Sequence, residues 1–569
     1  MNRKRRVLMK KEKLKKGFAL LLSAALVFSM AGCGSKGSVD TAAATTTDMT
    51  PEKTTGTGES VVYRSAVTEE LNSLDPSFNQ YATSLAMISN TNEGLYKYDR
   101  DGQITFGMAE SVDISDDECT YTFHIRDAYW SNGDPVTAND WEYSWKRLAD
   151  PANACPQSFF LVTAGIKNAY AVCYEGGDID TLGVKAIDDK TLVVELSAPR
   201  SYLTYLLCNT TCLMPINQKF CEEMGDQFML DKEHAISCGA YVMSEWEVGG
   251  TKYILDKNPT YYDADNVTCE RLEYTLLTDT QQTILAYENG DLDIVKLSGD
   301  YIQMYANNPD LITTGYPGLF FIAFNTQSEY LSNQNLRLAI STAINKEPII
   351  SNILCDGSFT ADYAIPSDFA ATSSGKSFRD AIGAPTYNCY DLTVAASYWE
   401  KAKEELGTDN ITLEFLYNED STLASVAAYI QSELQTNLPG LTVELRCTSY
   451  NQRLQDMSSG NYDFGLTRWY ADYQDPLTYL DMWIASSSLN YEKWTNPEYE
   501  DLYVKVNGEY ATDEEARLDA YKQMEKIVLD EAVICPLYQP VNQYLRTQKY
   551  DYVITPVGGT VTRYTDWAK

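Results

Sequence analysis

Side chains suited to acid–base or nucleophilic chemistry are few in this sequence. Its 569 residues include only two histidines, His124 and His234, and His124 lies in a strand-like pattern where a lone histidine is usually structural. No HExxH, GxSxG, Walker A or GxGxxG motif occurs. A glycosidase needs a pair of carboxylates, but with 80 acidic residues in the chain the sequence spacing of any two of them neither indicates nor excludes such a pair. We therefore expect a protein that is not an enzyme.

The thirteen cysteines form no metal-binding pattern. Cys208 and Cys212 are the only close pair, and no CxxC occurs, so zinc-site spacing is absent. The chain is large enough to fold without disulfides. We expect most cysteines to be buried small apolar residues, with room for one or two disulfides, and we predict no metal and no cofactor.

The first 32 residues predict a secretory signal. A cationic start precedes an apolar run from Gly17 to Gly32, which is shorter than the roughly 20 residues of a spanning helix. The run ends in Met30-Ala31-Gly32-Cys33, which resembles a bacterial lipoprotein processing site, although Leu is more usual than Met30. We expect Cys33 to be lipidated at the new N-terminus. The alternative is an ordinary secretory signal with an incidental cysteine.

Residues 33–60 predict a flexible tether. They are almost entirely Gly, Ser, Thr, Ala and charged residues, which bury too little apolar surface to offset the entropy of ordering. Such a tether suits a protein anchored through Cys33 at the extracellular face of the bacterial cytoplasmic membrane, held by its lipid alone.

The charge balance excludes one class of partner. The formal net charge is −35, and it becomes more negative once the cationic N-terminal segment is removed. Such a surface repels nucleic acid and anionic lipid headgroups. The mature chain is also too long for one core, so two or more lobes are expected.

Periodicity predicts an α/β chain. Strand patterns occur at 120–126 and 191–196, and the C-terminal half alternates strands and helices. The predicted order there is a strand at 411–417, a helix from a Ser421 cap to about 435, and strands at 441–447 and 462–469. This order favours a largely parallel sheet. Near the end, Thr512 and Glu515 suggest a capping box before a helix whose apolar residues are Leu518, Tyr521, Met524 and Val528.

Several segments, in order, resemble the oligopeptide- and dipeptide-type substrate-binding proteins of ABC transporters. The resemblance covers about 61–569 and rests on 74–76, 92–95, 99–102, 121–127, 130–147, 182–189, 196–199, 238–242, 257–262, 335–340, 343–346, 469–476 and 534–538. Any one segment is weak, but together they are specific. The resemblance implies a two-lobed, type II periplasmic-binding-protein-like fold with an extra domain enlarging the first lobe.

The resemblance also implies three interleaved domains. The first lobe comprises 61–92, 219–317 and 542–569, the extra domain 93–218, and the second lobe 318–541. Peptide would bind between the lobes, which close over it before docking on the permease and ATPase subunits of an ABC importer. No nucleic-acid partner is implied.

Carried over residue by residue, the resemblance implies a peptide site. Asp472, the acidic residue of the Trp469-Tyr-Ala-Asp-Tyr motif, would bind the peptide α-ammonium; the competing interpretation is that Asp472 only caps the loop. Gln80, Tyr81 and Ala82 match a segment that pairs with peptide backbone. Arg468 occupies a position expected to pair through its backbone. Predicted pocket-lining residues are Phe160, Phe321, Tyr450, Trp469, Tyr470 and Tyr538, for each of which core packing is an equal alternative.

One departure affects the other end of the ligand. Family members specific for short peptides carry arginines where this chain has Met457 and Leu466, so an anchor for the peptide C-terminus is in doubt. Three alternatives stay open: the same fold binding a sugar, nickel chelate or opine-like compound; a peptide-pheromone receptor; and a surface enzyme.

Overall fold

The computed structural model describes the backbone of residues 61–315, 317–367, 369–370, 372, 376–383, 388–554 and 560–567. These residues all belong to one compact unit. The predicted signal, Cys33 and tether lie outside the described residues. Two large mixed sheets dominate, and the chain passes between them at two places, near 315–318 and near 539–541. Two lobes joined by two crossings are the framework of a hinged binding protein.

The first large sheet has seven strands. In spatial order they are Leu311–Gly315, Val541–Arg546, Ile294–Lys296, Val62–Val67, Arg271–Leu276, Lys252–Lys257 and Tyr241–Trp246. The strand Val62–Val67 pairs in parallel with Arg271–Leu276 over its full length, from Val62 opposite Arg271 to Val67 opposite Leu276. The most N-terminal described strand is therefore held at the centre of this sheet.

The second large sheet has six strands, and it corrects one expectation. Their order is Phe359–Thr360, Ile534–Gln539, Gly318–Phe324, Phe464–Tyr470, Ile411–Asn418 and Leu441–Thr448. Only the last three pair in parallel, as the predicted alternation of strands and helices requires. The other three pair antiparallel, so the prediction of a largely parallel sheet was wrong. Those strands come from distant parts of the chain, which local periodicity does not reveal.

A four-stranded antiparallel sheet lies in the N-terminal part of the chain. Its strands are Ala109–Ile114, Thr120–Ile125, Thr191–Glu195 and Val184–Asp188. Alternate residues of Thr120–Ile125 are buried, which confirms the predicted period of two. Two hairpins complete the described strands: Tyr96–Tyr98 with Ile104–Phe106, and Tyr550–Ile554 with Thr560–Trp567. The division into three domains stays a prediction.

The described α-helices are Ala82–Thr91, Ala138–Ala149, Phe159–Thr163, Ala169–Glu175, Leu203–Asn209, Gln218–Met224, Thr280–Glu288, Asp300–Met304, Gln334–Ala343, Phe378–Ile382, Leu392–Leu406, Ser421–Asn437, Tyr450–Ser459, Leu477–Leu480, Pro497–Val506 and Glu514–Asp530, with a π-helical segment Ile349–Leu354. No helix within the described ranges has the length and apolar character needed to cross a bilayer.

Two predicted helix starts are displaced by one residue. The helix Ser421–Asn437 is capped by Asp420, whose side chain accepts from the Leu423 N–H at 2.8 Å, rather than by Ser421. The last long helix is capped by Asp513, which accepts from Ala516 at 3.0 Å. The predicted capping box with Thr512 was therefore wrong: in both cases the adjacent aspartate supplies the carboxylate that satisfies a free N–H.

Most described cysteines are buried, as predicted, and those at 119, 355, 389 and 447 are at least partly exposed. The described cysteines, from 119 onward, form no disulfide with one another, so the one or two disulfides that we allowed for are not seen among them. Burial raises the pKa of several thiols, among them Cys212 and Cys238, which makes them unreactive packing groups.

One buried carboxyl makes stability depend on pH. Glu492 is almost completely buried, one oxygen lacks a partner among the described residues, and burial raises its pKa to about 8. Between about pH 4.5 and 8 the folded state therefore holds a proton that the unfolded state has lost, and the free energy of unfolding falls as pH rises, by up to about 1.4 kcal/mol per pH unit. Glu492→Gln should remove this slope. Urea unfolding of both proteins at pH 5 and 8 measures it; equal slopes would contradict the assignment.

Candidate functional site

The site residues on the second sheet are placed by one pair of strands. Phe464–Tyr470 runs antiparallel to Gly318–Phe324, with Arg468 opposite Phe320 and Tyr470 opposite Gly318. A Cβ at Gly318 would overlap the Tyr470 ring and lie 3.0 Å from Pro540 Cγ. Glycine is therefore needed here for the Tyr470 ring to lie across the point where the chain passes between the sheets.

Asp472 follows this strand by two residues. Its N–H donates to Thr478 Oγ1 at 3.1 Å, which fixes its backbone. The side chain is exposed to solvent, yet enough protein surrounds it that desolvation raises the pKa to about 6. Both observations fit a carboxyl that is open to solvent on one side and surrounded by protein on the others. Among the described residues the carboxylate has no hydrogen bond and no ion pair, so it has capacity for a cation.

The loop after Asp472 is fixed by residues from far along the chain. The Tyr473 ring stacks on Tyr202 with centroids 4.2 Å apart. Asp475 accepts from Ser201 Oγ at 3.1 Å and from the Tyr521 hydroxyl at 2.8 Å. Ser201, Tyr202 and Tyr521 thus hold the loop after Asp472 in one geometry, as a preorganised ligand site needs.

A second carboxyl lies behind the loop. Asp481 accepts from the Tyr473 hydroxyl at 3.0 Å, and burial raises its pKa to about 7, with the nearby Asp472 charge acting in the same direction. Like charges at close range oppose each other's ionisation. Asp472 ionises first, and below about pH 7 Asp481 is mostly protonated, so Asp472 is the carboxyl that attracts a cation.

An aromatic shelf of Phe320, Tyr538 and Tyr450 surrounds Arg468. Phe320 and Tyr538 stack with centroids 4.5 Å apart. The guanidinium of Arg468 lies 5.6 Å from the centroids of both Phe320 and Tyr450. These contacts stabilise the guanidinium by cation–π interaction.

The segment Gln80–Ala82 is solvent-exposed, with extended backbone at Tyr81 just before a helix. The turn before it is anchored by a bidentate pair between Arg147 and Asp75, at 3.0 and 2.6 Å. An extended, accessible backbone on a fixed base is suited to pairing with another extended chain.

The structure brings together some of the predicted site residues. Arg468, Trp469, Tyr470 and Asp472 lie on or just after one strand, and ring contacts add Tyr450 and Tyr538, although Tyr538 itself is buried. The indole N–H of Trp469 is buried and lacks a partner among the described residues.

Two of the predicted pocket residues lie in other surroundings. Phe321 is buried and packs edge-on against Trp483, on the opposite face of its strand from the shelf. Phe160 lies on the helix Phe159–Thr163, where its ring contacts Phe159 at 4.3 Å. The ligand contacts predicted for these residues stay predictions.

Sequence reasoning missed Arg453 and Phe320. Arg453 is buried on the helix Tyr450–Ser459, one turn after Tyr450, with its guanidinium 5.2 Å from the Tyr450 ring. Helical spacing from Tyr450 was the signal that could have found it. Met457 and Leu466, where short-peptide binders carry arginines, are buried core residues here.

Comparison with known proteins settles the family. The model of "Bacterial extracellular solute-binding proteins, family 5 Middle" matches residues 103–491. The chain belongs to this family. Its fold is accordingly the two-lobed type II arrangement, and the family consists of substrate-binding proteins rather than enzymes.

Relatives and solved structures extend the likeness over almost the whole chain. The oligopeptide-binding protein OppA of Bacillus subtilis is 30% identical over 86% of this chain and 89% of its own length. The structure of Listeria monocytogenes OppA bound to peptide is 31% identical, covers 90% of this chain and 100% of its own, and has a TM-score of 0.70. The pheromone receptor PrgZ is 27% identical, with the same coverage and a TM-score of 0.72.

Proposed function

We propose that this family member binds oligopeptides between its two lobes and delivers them to the permease and ATPase subunits of an ABC importer. The proposal rests on one observation above the others: Asp472 is a fixed, partly desolvated carboxylate without a counter-ion among the described residues. A peptide α-ammonium is a cation that such a carboxylate can pair with. The relatives named as oligopeptide-binding proteins support the same ligand class.

The remaining surfaces suit a peptide backbone. Once water is excluded, each peptide N–H and C=O needs a partner. The exposed, extended backbone at Tyr81 and the strand end at Arg468–Tyr470 offer such partners without reading side chains. Broad selectivity for sequence, with selectivity for a free N-terminus, follows from this arrangement.

Peptide affinity should depend on pH in a defined way. The carboxyl of Asp472 has a raised pKa of about 6 in the free protein, and only the ionised form attracts the α-ammonium. Affinity should therefore fall as pH drops below about 6, by about tenfold per unit, and fall again above about 8, where the α-amine loses its proton. Calorimetric titration of one short peptide from pH 4.5 to 9 measures this. A flat acid limb would contradict the role of Asp472.

We further propose that Cys33 carries the lipid that anchors the protein to the outer face of the cytoplasmic membrane. The Met30-Ala31-Gly32-Cys33 sequence and the polar segment after it support this. Labelling cells with a fatty-acid analogue should mark the wild-type protein, whereas Cys33→Ala should be unlabelled and released into the medium. Release of an unlabelled wild-type protein would instead favour an ordinary secretory signal.

A second candidate is sensing rather than import. The likeness to PrgZ, a pheromone receptor, favours it. Both functions use the same capture step, so deletion of this protein, scored for two phenotypes, distinguishes them. Growth on peptides is lost if the role is import, whereas a peptide-induced response is lost and growth is kept if the role is signalling.

The ligand class itself is tested by titration. The purified protein is titrated with a mixed peptide panel, the same peptides N-acetylated, a panel of sugars and a nickel chelate. We expect micromolar or tighter binding of free peptides alone. Binding of a sugar or chelate in their place would leave the family standing and overturn the proposed ligand.

A further inference from the structure

The cation in the aromatic shelf has no carboxylate partner. Neither Arg468 nor Arg453 forms an ion pair with any described residue, and Arg468 makes only ring contacts there. The chain has 80 acidic residues against 45 basic ones, so carboxylates are plentiful. Two neighbouring arginines left without one form an uncompensated positive site.

Three other buried or partly buried arginines bind either a carboxylate or several carbonyl oxygens. Arg379 pairs with Glu525, and Arg147 pairs with Asp75. Arg337, which has no carboxylate partner, donates instead to four backbone carbonyls. Arg453 differs from these three because it has neither a carboxylate nor several carbonyls: its Nη1 reaches Thr467 Oγ1 at 2.7 Å and two weaker acceptors at 3.4 Å. Its Nε is buried without an acceptor among the described residues, as is that of Arg379.

The same ring connects the two guanidinium groups. Tyr450 lies 5.2 Å from Arg453 and 5.6 Å from Arg468, and Arg468 is the more exposed of the two. The Arg468 guanidinium makes ring contacts but no hydrogen bond with a described residue, so its N–H donors are left for a planar acceptor. Arg453 adds a second positive charge from behind, where water screens it little.

We propose that Arg468, backed by Arg453, forms a subsite for a carboxylate of the bound ligand. The subsite replaces the arginines absent at Met457 and Leu466 with charge from two other positions. The proposal rests on the peptide function proposed above, and it names the second charged group that this site recognises.

Chain geometry limits which carboxylate can reach it. Arg468 and Asp472 are four residues apart, so their Cα atoms are separated by at most about 14 Å, the length of about four extended residues. A short peptide held at Asp472 can therefore place its C-terminal carboxylate at Arg468. In a long peptide the same position is reached by an acidic side chain.

The test compares matched peptides by calorimetric titration on the purified protein. Tetrapeptides are measured as free acids and as C-terminal amides, and amidated decapeptides are measured with Glu or Gln at the fourth residue. In at least one pair, we expect the peptide with the extra carboxylate to bind at least about tenfold more tightly than the uncharged member. Arg468→Gln should reduce that ratio to about twofold or less, while the uncharged member of the pair keeps its affinity.

A charge-matched control is Lys505→Gln, which removes one positive charge from an exposed lysine paired with Asp501. This variant should keep the full affinity ratio, and a low-salt titration should enlarge the ratio only where Arg468 is present.

Tighter binding of the free-acid tetrapeptide than of its amide shows that the subsite binds the C-terminal carboxylate. Tighter binding of the Glu decapeptide than of the Gln decapeptide shows that it binds an acidic side chain. Equal binding in both pairs, or a ratio unchanged by Arg468→Gln, would overturn the subsite. Failure of every peptide to bind would instead overturn the proposed function.

Discussion

Asp472→Asn should weaken binding of short peptides by about two to four orders of magnitude. Removing one partner of a desolvated ion pair costs about 3–5 kcal/mol, because the remaining α-ammonium stays buried without a counter-ion. The fold should be unaffected, since the carboxylate has no hydrogen bond or ion pair among the described residues and desolvation already disfavours its charge. Titration calorimetry and thermal unfolding measure the two effects.

The matched control for charge is Asp501→Asn, an exposed carboxylate that pairs with Lys505. It should leave affinity unchanged. N-acetylated peptide should lose as much affinity on the wild-type protein as free peptide loses on Asp472→Asn, and acetylation should cost little more on the variant. Additive losses would show that Asp472 and the peptide amine do not interact.

Glu525→Gln should destabilise the protein by about 3–5 kcal/mol, because it leaves the buried guanidinium of Arg379 unpaired. The Glu525 carboxylate accepts from Arg379 Nη1 and Nη2, each at 2.8 Å, and from the N–H groups of Ala364 and Ile365 at 3.0 and 3.1 Å. Both side chains are buried. The pair attaches the segment around Ala364 to the helix Glu514–Asp530. The urea midpoint of unfolding measures the loss.

Asp530→Asn on the same helix is the control, because it breaks an exposed pair with Lys526 and should cost about 1 kcal/mol or less. Replacing both buried partners, with Arg379→Met and Glu525→Leu together, should recover much of the stability lost in Glu525→Gln. If Glu525→Gln shifted the midpoint no more than Asp530→Asn, the buried pair would not be what attaches this segment.

Local patterns in the sequence predicted local structure well. The alternation at 120–126 and the strand–helix order from 411 to 469 are present nearly at the predicted bounds. The hydrophobic periodicity of a segment does not show which distant strand it pairs with, which is why the antiparallel half of the second sheet was missed. Cap positions were displaced because Asp420 and Ser421 are both good caps, and only backbone geometry chooses between them.

The site residues show the same contrast between what a local sequence motif predicts and what depends on distant parts of the chain. The motif identified Asp472, and the structure adds what the sequence could not show: its partial desolvation and the support from Tyr202 and Tyr521. For the aromatics the sequence selected Phe321, whereas its neighbour Phe320 contacts Arg468. Adjacent residues of a strand face opposite sides of the sheet. An assignment that is wrong by one residue therefore selects a side chain in the core when the one in the aromatic shelf was meant.

The central claim, peptide capture through a free α-amine, is tested most directly by identifying what the protein retains. Protein spanning residues 34–569 is purified under mild conditions, denatured, and the released material is analysed by mass spectrometry beside material from Asp472→Asn. We expect a mixed set of peptides with free N-termini from the wild-type protein and little from the variant. A single non-peptide compound, or the same peptides in equal amounts from both proteins, would contradict the account.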